Sequence, residues 1–516
     1  KQRGTPVRDL HRIELASGSD AIIDPAAMAS ADGGGAVFDR ARSRAAFVRN
    51  GDVFIRELAT RRLVQVTRTP ERESAPRFSA DGRGLIYRRG NDWFTYDIVG
   101  GVSGPAAVVK AEKDPVDKKL DDLAELQLEL FSTLRHKKAE REAQKAHGEA
   151  FTKGDPTRAP LPFYLGDEVK IEGTSLSPDG RWLLVVTSPK GYDVGRRPQM
   201  QHFVTESGYE EQEEERTKVG RNDPPPQSLL LLDLDKHEQH ALALDDLPGI
   251  HDDPLKAVRE ENAKFKREQA AKTGEGKPDD ADGKSGKTDT RTGKADKARA
   301  VRIVSRAEDG GGGGIQWSDD GRQLAIQIRA IDNKDRWIAS VDLAKATLDN
   351  QHRLTDPAWI NWNFNDFGWL PDNRTLWYLS EESGYSQLYT RVPGARARQL
   401  TRGEFEVSSP QLAPDGQWFY VRANVQAPYS YDVYRIAPAG GELARVTSLK
   451  AVEAFELSPD GRQLAVQYSA PYTPTQLALA PADGGAAART LTDTRTAEYK
   501  AMQWPALEIV EVPSSH

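Results

Sequence analysis

A short turn phrase of the type Ser-Pro-Asp-Gly-Arg recurs six times along the chain. Its copies occupy 78–83, 176–181, 317–322, 369–374, 412–417 and 457–462. Proline fixes φ at the first turn position, aspartate can bond its own backbone, and glycine or asparagine accepts a positive φ. Each copy stands between apolar, strand-like runs, which predicts a β-hairpin. Six hairpins of one design predict a repeat architecture.

A second marker gives the length of the repeat. Threonine closes a similar short stretch at Thr67, Thr355, Thr401, Thr447 and Thr492. The last four of these threonines are separated by 46, 46 and 45 residues. A unit of about 40–50 residues with alternating apolar positions is typical of a four-stranded β-propeller blade. Helical repeats of similar length would show a spacing of 3.6 instead.

The sequence therefore predicts an all-β fold, with residues 1–516 forming a single β-propeller domain. Seven four-stranded blades can be assigned. The alternative is eight blades, with the eighth built from the N-terminal residues or from the stretch 150–170. The prediction includes a helical insertion near 111–150 and a long polar insertion near 250–300.

Three insertions interrupt the repeat. Apolar residues spaced by three, four or seven predict an amphipathic helix within 111–150, which we expect to pack against the propeller rather than bind a partner helix. The third blade is opened by an acidic, proline-containing insertion at 189–227. The low-complexity stretch 255–300 has a start that could be helical. Its remainder, 273–297, has too few apolar residues to order and predicts a disordered loop.

Composition excludes several classes of function. A net charge of −7 with mixed signs offers no basic field for nucleic acid. The absence of cysteine excludes disulfides, thiolate catalysis and cysteine-bound metals. No apolar run reaches the length of a membrane span. The repeated aspartates suit turns better than metal ions, so the sequence predicts neither a metal nor a cofactor.

Serine-hydrolase chemistry is also missing from the sequence. The Gly-x-Ser-x-Gly elbow that exposes a nucleophilic serine is absent, because the stretches at Gly173 and Gly384 lack the closing glycine. The alternating strands and helices of an α/β-hydrolase do not follow the repeats. We therefore expect no catalytic residue in this chain.

The last blades resemble the N-terminal propeller of the prolyl oligopeptidase family, in its dipeptidyl peptidase IV-like branch. The stretches that carry the resemblance are 379–389 (Leu-Ser-Glu-Glu-Ser-Gly-Tyr-Ser-Gln-Leu-Tyr), 457–469 and 471–477. They continue into 502–513, which ends Glu-Ile-Val-Glu-Val-Pro. In that family such an exit segment, here 502–516, leads into an α/β-hydrolase domain.

The resemblance implies a serine exopeptidase in which propeller and hydrolase enclose a cavity for short peptides. In such dipeptidyl peptidases, a pair of glutamates projecting from a blade holds the free N-terminal ammonium of the substrate. The matching acidic insertion here contains Glu210 and Glu211, with Glu206 as a supporting acid. The alternative is a solvated charged face, since 210–215 holds five glutamates and no unique pair.

Two functions remain in competition at this point. The favoured one is a substrate-gating and peptide-binding propeller of a serine peptidase, inactive without its hydrolase domain. The other is a protein-interaction propeller of the TolB or WD-repeat type with no enzymatic role. Expected partners are the hydrolase domain and short peptides, and a homodimer stays open. The sequence does not fix the compartment, although a periplasmic or secreted bacterial location is favoured.

Overall fold

The computed structural model of the chain describes residues 9–115, 122–155, 157–215, 220–273, 298–305 and 313–505, together with 507, 509, 510, 512 and 513. In this part of the chain, the strands form seven antiparallel blades, as predicted. The predicted disordered loop lies outside the described residues, apart from Thr273.

The strands follow one another outward in each blade, in chain order. The N-terminal hairpin is β1 (His11–Ile13) and β2 (Asp20–Ile22). Blade 1 is β3 (Val37–Phe38), β4 (Arg44–Arg49), β5 (Asp52–Glu57) and β6 (Leu63–Gln65). Blade 2 is β7 (Glu73–Phe78), β8 (Gly84–Arg89), β9 (Asp92–Asp97) and β10 (Ser103–Ala107). The parallel pair β11 (Val109–Lys110) and β12 (Phe163–Tyr164) leads to blade 3.

The remaining blades continue this order. Blade 3 is β13 (Val169–Leu176), β14 (Trp182–Pro189), β17 (Ser228–Asp233) and β18 (Glu238–Ala241), with β15 (Gln199–His202) and β16 (Glu211–Glu214) as a separate hairpin. Blade 4 is β19 (Val301–Ile303), β20 (Ile315–Trp317), β21 (Leu324–Ala330), β22 (Asp335–Asp342) and β23 (Thr347–Thr355). Blade 5 is β24 (Phe367–Trp369), β25 (Leu376–Ser380), β26 (Gln387–Arg391) and β27 (Arg398–Gln399). Blade 6 is β28 (Val407–Leu412), β29 (Phe419–Ala427), β30 (Ser430–Ile436) and β31 (Ala444–Arg445). Blade 7 is β32 (Val452–Leu457), β33 (Gln463–Ala470), β34 (Thr473–Pro481) and β35 (Arg489–Thr490).

Neither stretch considered for an eighth blade forms one. The N-terminal residues make the two-stranded hairpin β1–β2 and a short 3-10 turn at Pro25–Ser30. The stretch 150–170 contributes β12, which pairs only with β11, and the start of β13 in blade 3. The described residues therefore form a seven-bladed propeller.

The helices lie in the connections. They are α1 (Asp122–Leu130), α2 (Ser132–Gly154), α3 (Lys256–Thr273) and α4 (Ala497–Ala501). The first two confirm the helical insertion, and α3 fits the start predicted for the polar insertion. None of the described helices combines the length and apolar character that crossing a bilayer would need. The leucines of α1 at 123, 126 and 130 are exposed, which is not what packing of an apolar stripe onto the propeller would give.

The repeated turn phrase works by local hydrogen bonding. In blade 2, the Ser79 hydroxyl donates to Asp81 at 2.6 Å, and the backbone N–H of Arg83 donates to the same carboxylate oxygen at 3.0 Å. The same bonds recur at Ser458 and Asp460 in blade 7. These donors hold the pKa of both aspartates below its usual value. The repeated aspartates therefore serve the turns, as predicted.

These turns also join neighbouring blades. The backbone N–H of Ala80 donates to the carbonyl of Pro178 at 2.8 Å, which links blades 2 and 3. Gly321 has φ of 74°, and a Cβ there would lie 2.7 Å from the backbone nitrogen of Asp179. Because the turns touch around the ring, a small residue with positive φ is needed at this point.

The periodic threonine bonds the third strand of its own blade. The backbone N–H of Val53, Leu388, Val433 and Leu477 donates to the hydroxyl of Thr67, Thr401, Thr447 and Thr492, at 2.8–2.9 Å. A buried backbone donor without a partner would cost free energy. One repeated hydrogen bond therefore explains four of the five threonines, whereas the Thr355 hydroxyl donates to the carbonyl of Lys334 at 3.3 Å.

The hydrophobic core is divided among the spaces between successive blades. Each of the six clusters of buried apolar residues joins one blade to the next, from blades 1 and 2 to blades 6 and 7. At the remaining seam, the N-terminal segment packs on blade 1, and the Arg489 guanidinium of blade 7 donates to the carbonyl of Leu15. Blade 7 therefore has a blade against one of its faces only, within the described residues.

Strand alternation sorts the connections to two ends of the propeller. Because neighbouring strands are antiparallel, the turns after the first and third strands lie at one end, called here the turn face. The connections after the second and fourth strands lie at the other end, called here the insertion face. Contacts such as Leu58 N–H to Ser43 O and Glu73 N–H to Gly51 O confirm this pairing. All three insertions are on the insertion face.

Candidate functional site

The insertion face carries the exposed aromatic residues of the molecule. Among the described residues, every exposed aromatic side chain lies in a connection of this face or in the segment that follows β35. They are Phe131, Phe151, Tyr192, Phe203, Tyr209, Phe265, Trp359, Tyr385, Tyr429 and Trp504. Aromatic residues combine apolar area with few rotatable bonds and are enriched where proteins bind partners. This asymmetry makes the insertion face the candidate end for contacts with a partner.

The segment after β35 runs over the same face. Thr496 caps α4 by accepting from the Tyr499 N–H at 3.2 Å. The Trp504 ring stacks on Tyr472, in the turn after the second strand of blade 7, with centroids 4.8 Å apart, and it also meets Tyr499 at 4.6 Å. The chain therefore leaves the propeller across the insertion face.

The acidic insertion of blade 3 forms a projecting arm, defined here as residues 190–227. Its base is held by the backbone bond from Arg196 N–H to Gly220 O at 2.8 Å and by a bridge between Gly195 and Arg221. Beyond the base, β15 and β16 pair in an antiparallel hairpin. Thr205 and Ser207 order the tip at 203–210, since the Thr205 hydroxyl donates to the carbonyl of Tyr209 at 2.6 Å.

The tip combines apolar and acidic side chains. Phe203, Val204 and Tyr209 are 69%, 98% and 81% exposed. Exposure of three large apolar side chains on one short hairpin is unusual for a surface that meets only water. The tip therefore has the composition of a contact surface.

The structure divides the acidic run into two groups. Glu213 lies 3.1 Å from the His202 ring nitrogen, and Glu214 lies 3.0 Å from the Arg197 guanidinium. Glu211 accepts from the Ser207 hydroxyl at 2.6 Å. Glu206 and Glu210 are exposed and make no hydrogen bond or ion pair with described residues. The three predicted glutamates are thus all at or beside the tip. Glu213 and Glu214 are paired within the hairpin, and Glu215 makes, with the described residues, only a backbone hydrogen bond, from its N–H to the carbonyl of Pro198.

Strand geometry separates the predicted pair. Glu211 begins β16 opposite His202, and Glu210 immediately precedes it. Successive residues of an extended strand point to opposite faces. Glu210 and Glu211 would therefore reach one ligand only if the chain turns between them at the tip. At the tip, Glu206 and Glu210 are the two glutamates whose side chains have no partner among the described residues.

A second charged cluster lies at the insertion face, between blades 4 and 5. The fully buried Arg336 guanidinium donates to the carbonyls of Phe364 and Leu379 at 2.7 and 2.9 Å, and to the Asn365 side chain at 2.9 Å. Burial lowers the pKa of Arg336 to about 10, so it stays charged at neutral pH. Burial, with Arg336 and Arg391 nearby, lowers the pKa of His352 to about 3 and keeps that ring neutral.

Two glutamates of the turn after β25, Glu381 and Glu382, lie near this arginine. Burial raises the pKa of both Glu381 and Glu382, and the Glu406 carboxylate raises that of Glu381 further. Sequence reasoning did not select them, although they belong to the Ser-Glu-Glu-Ser-Gly stretch that carries the family resemblance. What marks these two glutamates is the buried positive charge of Arg336 nearby, and that proximity is visible only in the folded structure. Within the described residues, no group of three acidic or histidine side chains could hold a metal ion.

The comparisons with known proteins agree with this fold. Residues 291–475, which include blades 4 to 6 and most of blade 7, match the family model described as the dipeptidyl peptidase IV (DPP IV) N-terminal region. No curated protein matches the chain.

Two solved structures are similar to this chain at low identity. One is a putative dipeptidyl aminopeptidase IV from Bacteroides ovatus (TM-score 0.51, 10% identity, covering 97% of this chain and 59% of that one). The other is dipeptidyl peptidase 4 from Porphyromonas gingivalis (TM-score 0.49, 14% identity, 87% and 50%). The chain thus spans between half and three-fifths of their length, and at these identities the likeness concerns the fold alone. The matched family model and the seven blades thus make the chain similar, over residues 291–475, to the N-terminal β-propeller region of dipeptidyl peptidase IV.

Proposed function

We propose that this propeller binds short peptides and gates their access to the α/β-hydrolase domain of a serine exopeptidase. The observation that carries the proposal is the arm tip, which presents free carboxylates beside exposed apolar side chains. The tip and the segment that follows blade 7 are on the same face. A domain attached through that segment would therefore meet the arm. The propeller is catalytically incomplete without such a domain.

In this proposal, the arm anchors the free N-terminus of the peptide. An ammonium group bound by carboxylates makes charge-assisted hydrogen bonds, which are about twice as strong as neutral ones. Glu206, Glu210 and Glu211 are the candidate acids. Glu211 has a fixed position through Ser207, whereas Glu206 and Glu210 have unused acceptor capacity. Closure of a hydrolase domain over the tip would exclude water and strengthen the contact.

The test replaces the tip carboxylates in the full-length protein. With Glu210→Gln and Glu211→Gln together, we expect kcat/KM for dipeptidyl substrates with a free amine to fall about 10- to 100-fold, because such a bond is worth about 1.5–3 kcal/mol. N-acylated substrates, which have no ammonium, should be hydrolysed as before. Adding Glu206→Gln should enlarge the loss if Glu206 and Glu210 act together.

The matched control is Glu213→Gln with Glu214→Gln. These glutamates are in the same hairpin but are already paired with His202 and Arg197. The control should leave both substrate types unaffected. An equal loss for free and acylated substrates would indicate a folding defect. No loss for either would return the arm to a solvated charged face and favour an interaction propeller without enzymatic role.

A further inference from the structure

A buried glutamate lies at equivalent positions in two interfaces, one between blades 1 and 2 and the other between blades 6 and 7. In both, the threonine that closes one blade donates its hydroxyl to a glutamate six residues later, at the start of the next blade. Thr67 donates to Glu73 at 2.8 Å, and Thr447 donates to Glu453 at 2.6 Å. Both glutamates are almost fully buried, at 2% and 1% exposed.

The two sites differ in the residue across the strand pair. Arg89 is directly opposite Glu73, and its Nε lies 3.2 Å from the carboxylate. Tyr468 takes the same place opposite Glu453. Glu73 is therefore neutralised by a cation on its own sheet, whereas Glu453 is not.

The neighbours of Glu453 do not replace the missing cation. The backbone N–H of Leu449 donates to its carboxylate at 3.3 Å. The Asp432 carboxyl from β30, which is 1% exposed, lies next to that of Glu453. Arg445 from β31 lies 2.7 Å from Asp432, and among the described residues it is the one cation within ion-pair distance of either carboxylate.

The other charged or titratable groups that face the pair leave this balance unchanged. Arg422 from β29 approaches the backbone carbonyl of Glu453 at 3.4 Å rather than its side chain. Tyr434 from β30 borders both carboxyls, and burial raises the pKa of its hydroxyl above its usual value. With one proton on the pair the site is electrically balanced, and without that proton it holds one uncompensated buried charge.

We propose that the interface between blades 6 and 7 is a proton-dependent joint, in which Asp432 and Glu453 share one proton and blade 7 loosens when that proton is lost. Blade 7 is the suitable blade for such a device, since blade 6 is the one blade that packs against it among the described residues. It is also the blade from which the chain continues across the insertion face. A change in pH would thus alter how firmly the following segment is held.

The direction of the pH dependence follows from the carboxyls. Burial and the Asp432 carboxyl raise the pKa of Glu453 to about 7, whereas an unfolded glutamate titrates near 4.5. A raised acid pKa favours the folded state at low pH. The stabilisation is therefore complete below about pH 4.5 and is lost as the pH rises through about 7.

The experiment is hydrogen exchange of the whole chain between pH 5 and pH 8.5, with rates corrected for intrinsic exchange. We expect the opening constant of blade 7 amides, at 452–481, to rise by about tenfold per pH unit between about pH 5 and pH 7. Amides of blade 4 in the same sample serve as the internal reference. A flat profile for blade 7 would overturn the proposal.

Three variants identify the group that titrates. Glu453→Gln is isosteric with the protonated acid and should abolish the pH dependence. Tyr468→Arg supplies the cation that Arg89 gives Glu73 and should abolish it as well. The matched control Glu73→Gln should keep the wild-type profile in blade 7. Persistence of the pH dependence in Glu453→Gln, or its loss in Glu73→Gln, would contradict the assignment.

Discussion

The same five residues lead into the second strand of blade 4 and into that of blade 7, but they are buried differently. Gly-Arg-Gln-Leu-Ala occupies 321–325 in blade 4 and 461–465 in blade 7. Leu324 and Leu464 are both fully buried against the preceding blade. Ala325 is also fully buried, against blade 5, whereas the equivalent Ala465 is exposed. One pentapeptide thus has two environments.

The difference teaches that burial here is decided by neighbouring blades rather than by local sequence. Strand β21 is buried on both faces, whereas β33 alternates between buried and exposed residues over its first half. Alternation is the pattern of a sheet with one solvated face. The same difference is seen two residues further along each strand, where Gln327 of blade 4 is fully buried and Gln467 of blade 7 is exposed.

The strongest way to break this comparison is to charge the two equivalent alanines. Ala325→Glu would place an unpaired carboxylate inside the interface between blades 4 and 5, at a cost of several kcal/mol, about enough to unfold a marginal domain. Ala465→Glu should change stability by about 0.5 kcal/mol or less. Thermal unfolding of both variants checks this. A similar loss in both would show that something covers the outer face of blade 7.

A second variant tests the buried arginine of blade 4. Arg336→Met removes three hydrogen bonds and leaves their buried acceptors without partners, so we expect a loss of about 3–5 kcal/mol. The strand registers place Thr475 of blade 7 at the equivalent position, where it is exposed. Thr475→Met is therefore the control and should be nearly neutral by denaturant titration. A small loss for Arg336→Met would show that the arginine is dispensable for joining blades 4 and 5.

The smallest effects are expected at the turns, where the two blades are alike. Gly321 and Gly461 both have positive φ, and a Cβ at either would lie within 3 Å of the preceding turn. We expect alanine at each to cost about 1–2 kcal/mol, partly from the backbone conformation. Gly180→Ala, where a Cβ would meet nothing within 4 Å, isolates that conformational part. Equal losses at all three positions would remove the contact between turns from the explanation.

Much of the fold could be predicted because its signals are local. The turn phrase and the threonine each form bonds within a few residues or within one blade, so their spacing gave the blade boundaries. The number of blades could be determined only from the structure, because a two-stranded hairpin and a full blade begin with similar strands. The exposed face of blade 7 also required it, since Ala325 and Ala465 have identical local sequences.

The site was predictable only in part. The acidic composition of 206–215 pointed to the arm, but pairing decides which carboxylates stay free. Glu213 and Glu214 are engaged by His202 and Arg197, and these pairs depend on the register of β15 against β16. The cluster around Arg336 was missed because it joins residues of two blades that are distant in sequence.

The long insertion between blades 3 and 4 has a consequence for synthesis of the chain. Leu184, Val186, Leu229 and Leu231 of blade 3 pack against blade 4, whose first strand begins about 60 residues after β18 ends. At about 5–20 residues per second, a ribosome needs about 3–12 s to cross that gap. Blades 5, 6 and 7 each follow their predecessor by about 6 to 11 residues. Blade 3 in turn begins about 60 residues after β10 of blade 2 ends. The apolar faces of blades 2 and 3 therefore wait much longer for their neighbours than those of blades 4 to 6, and they are where a nascent chain would most need protection from aggregation.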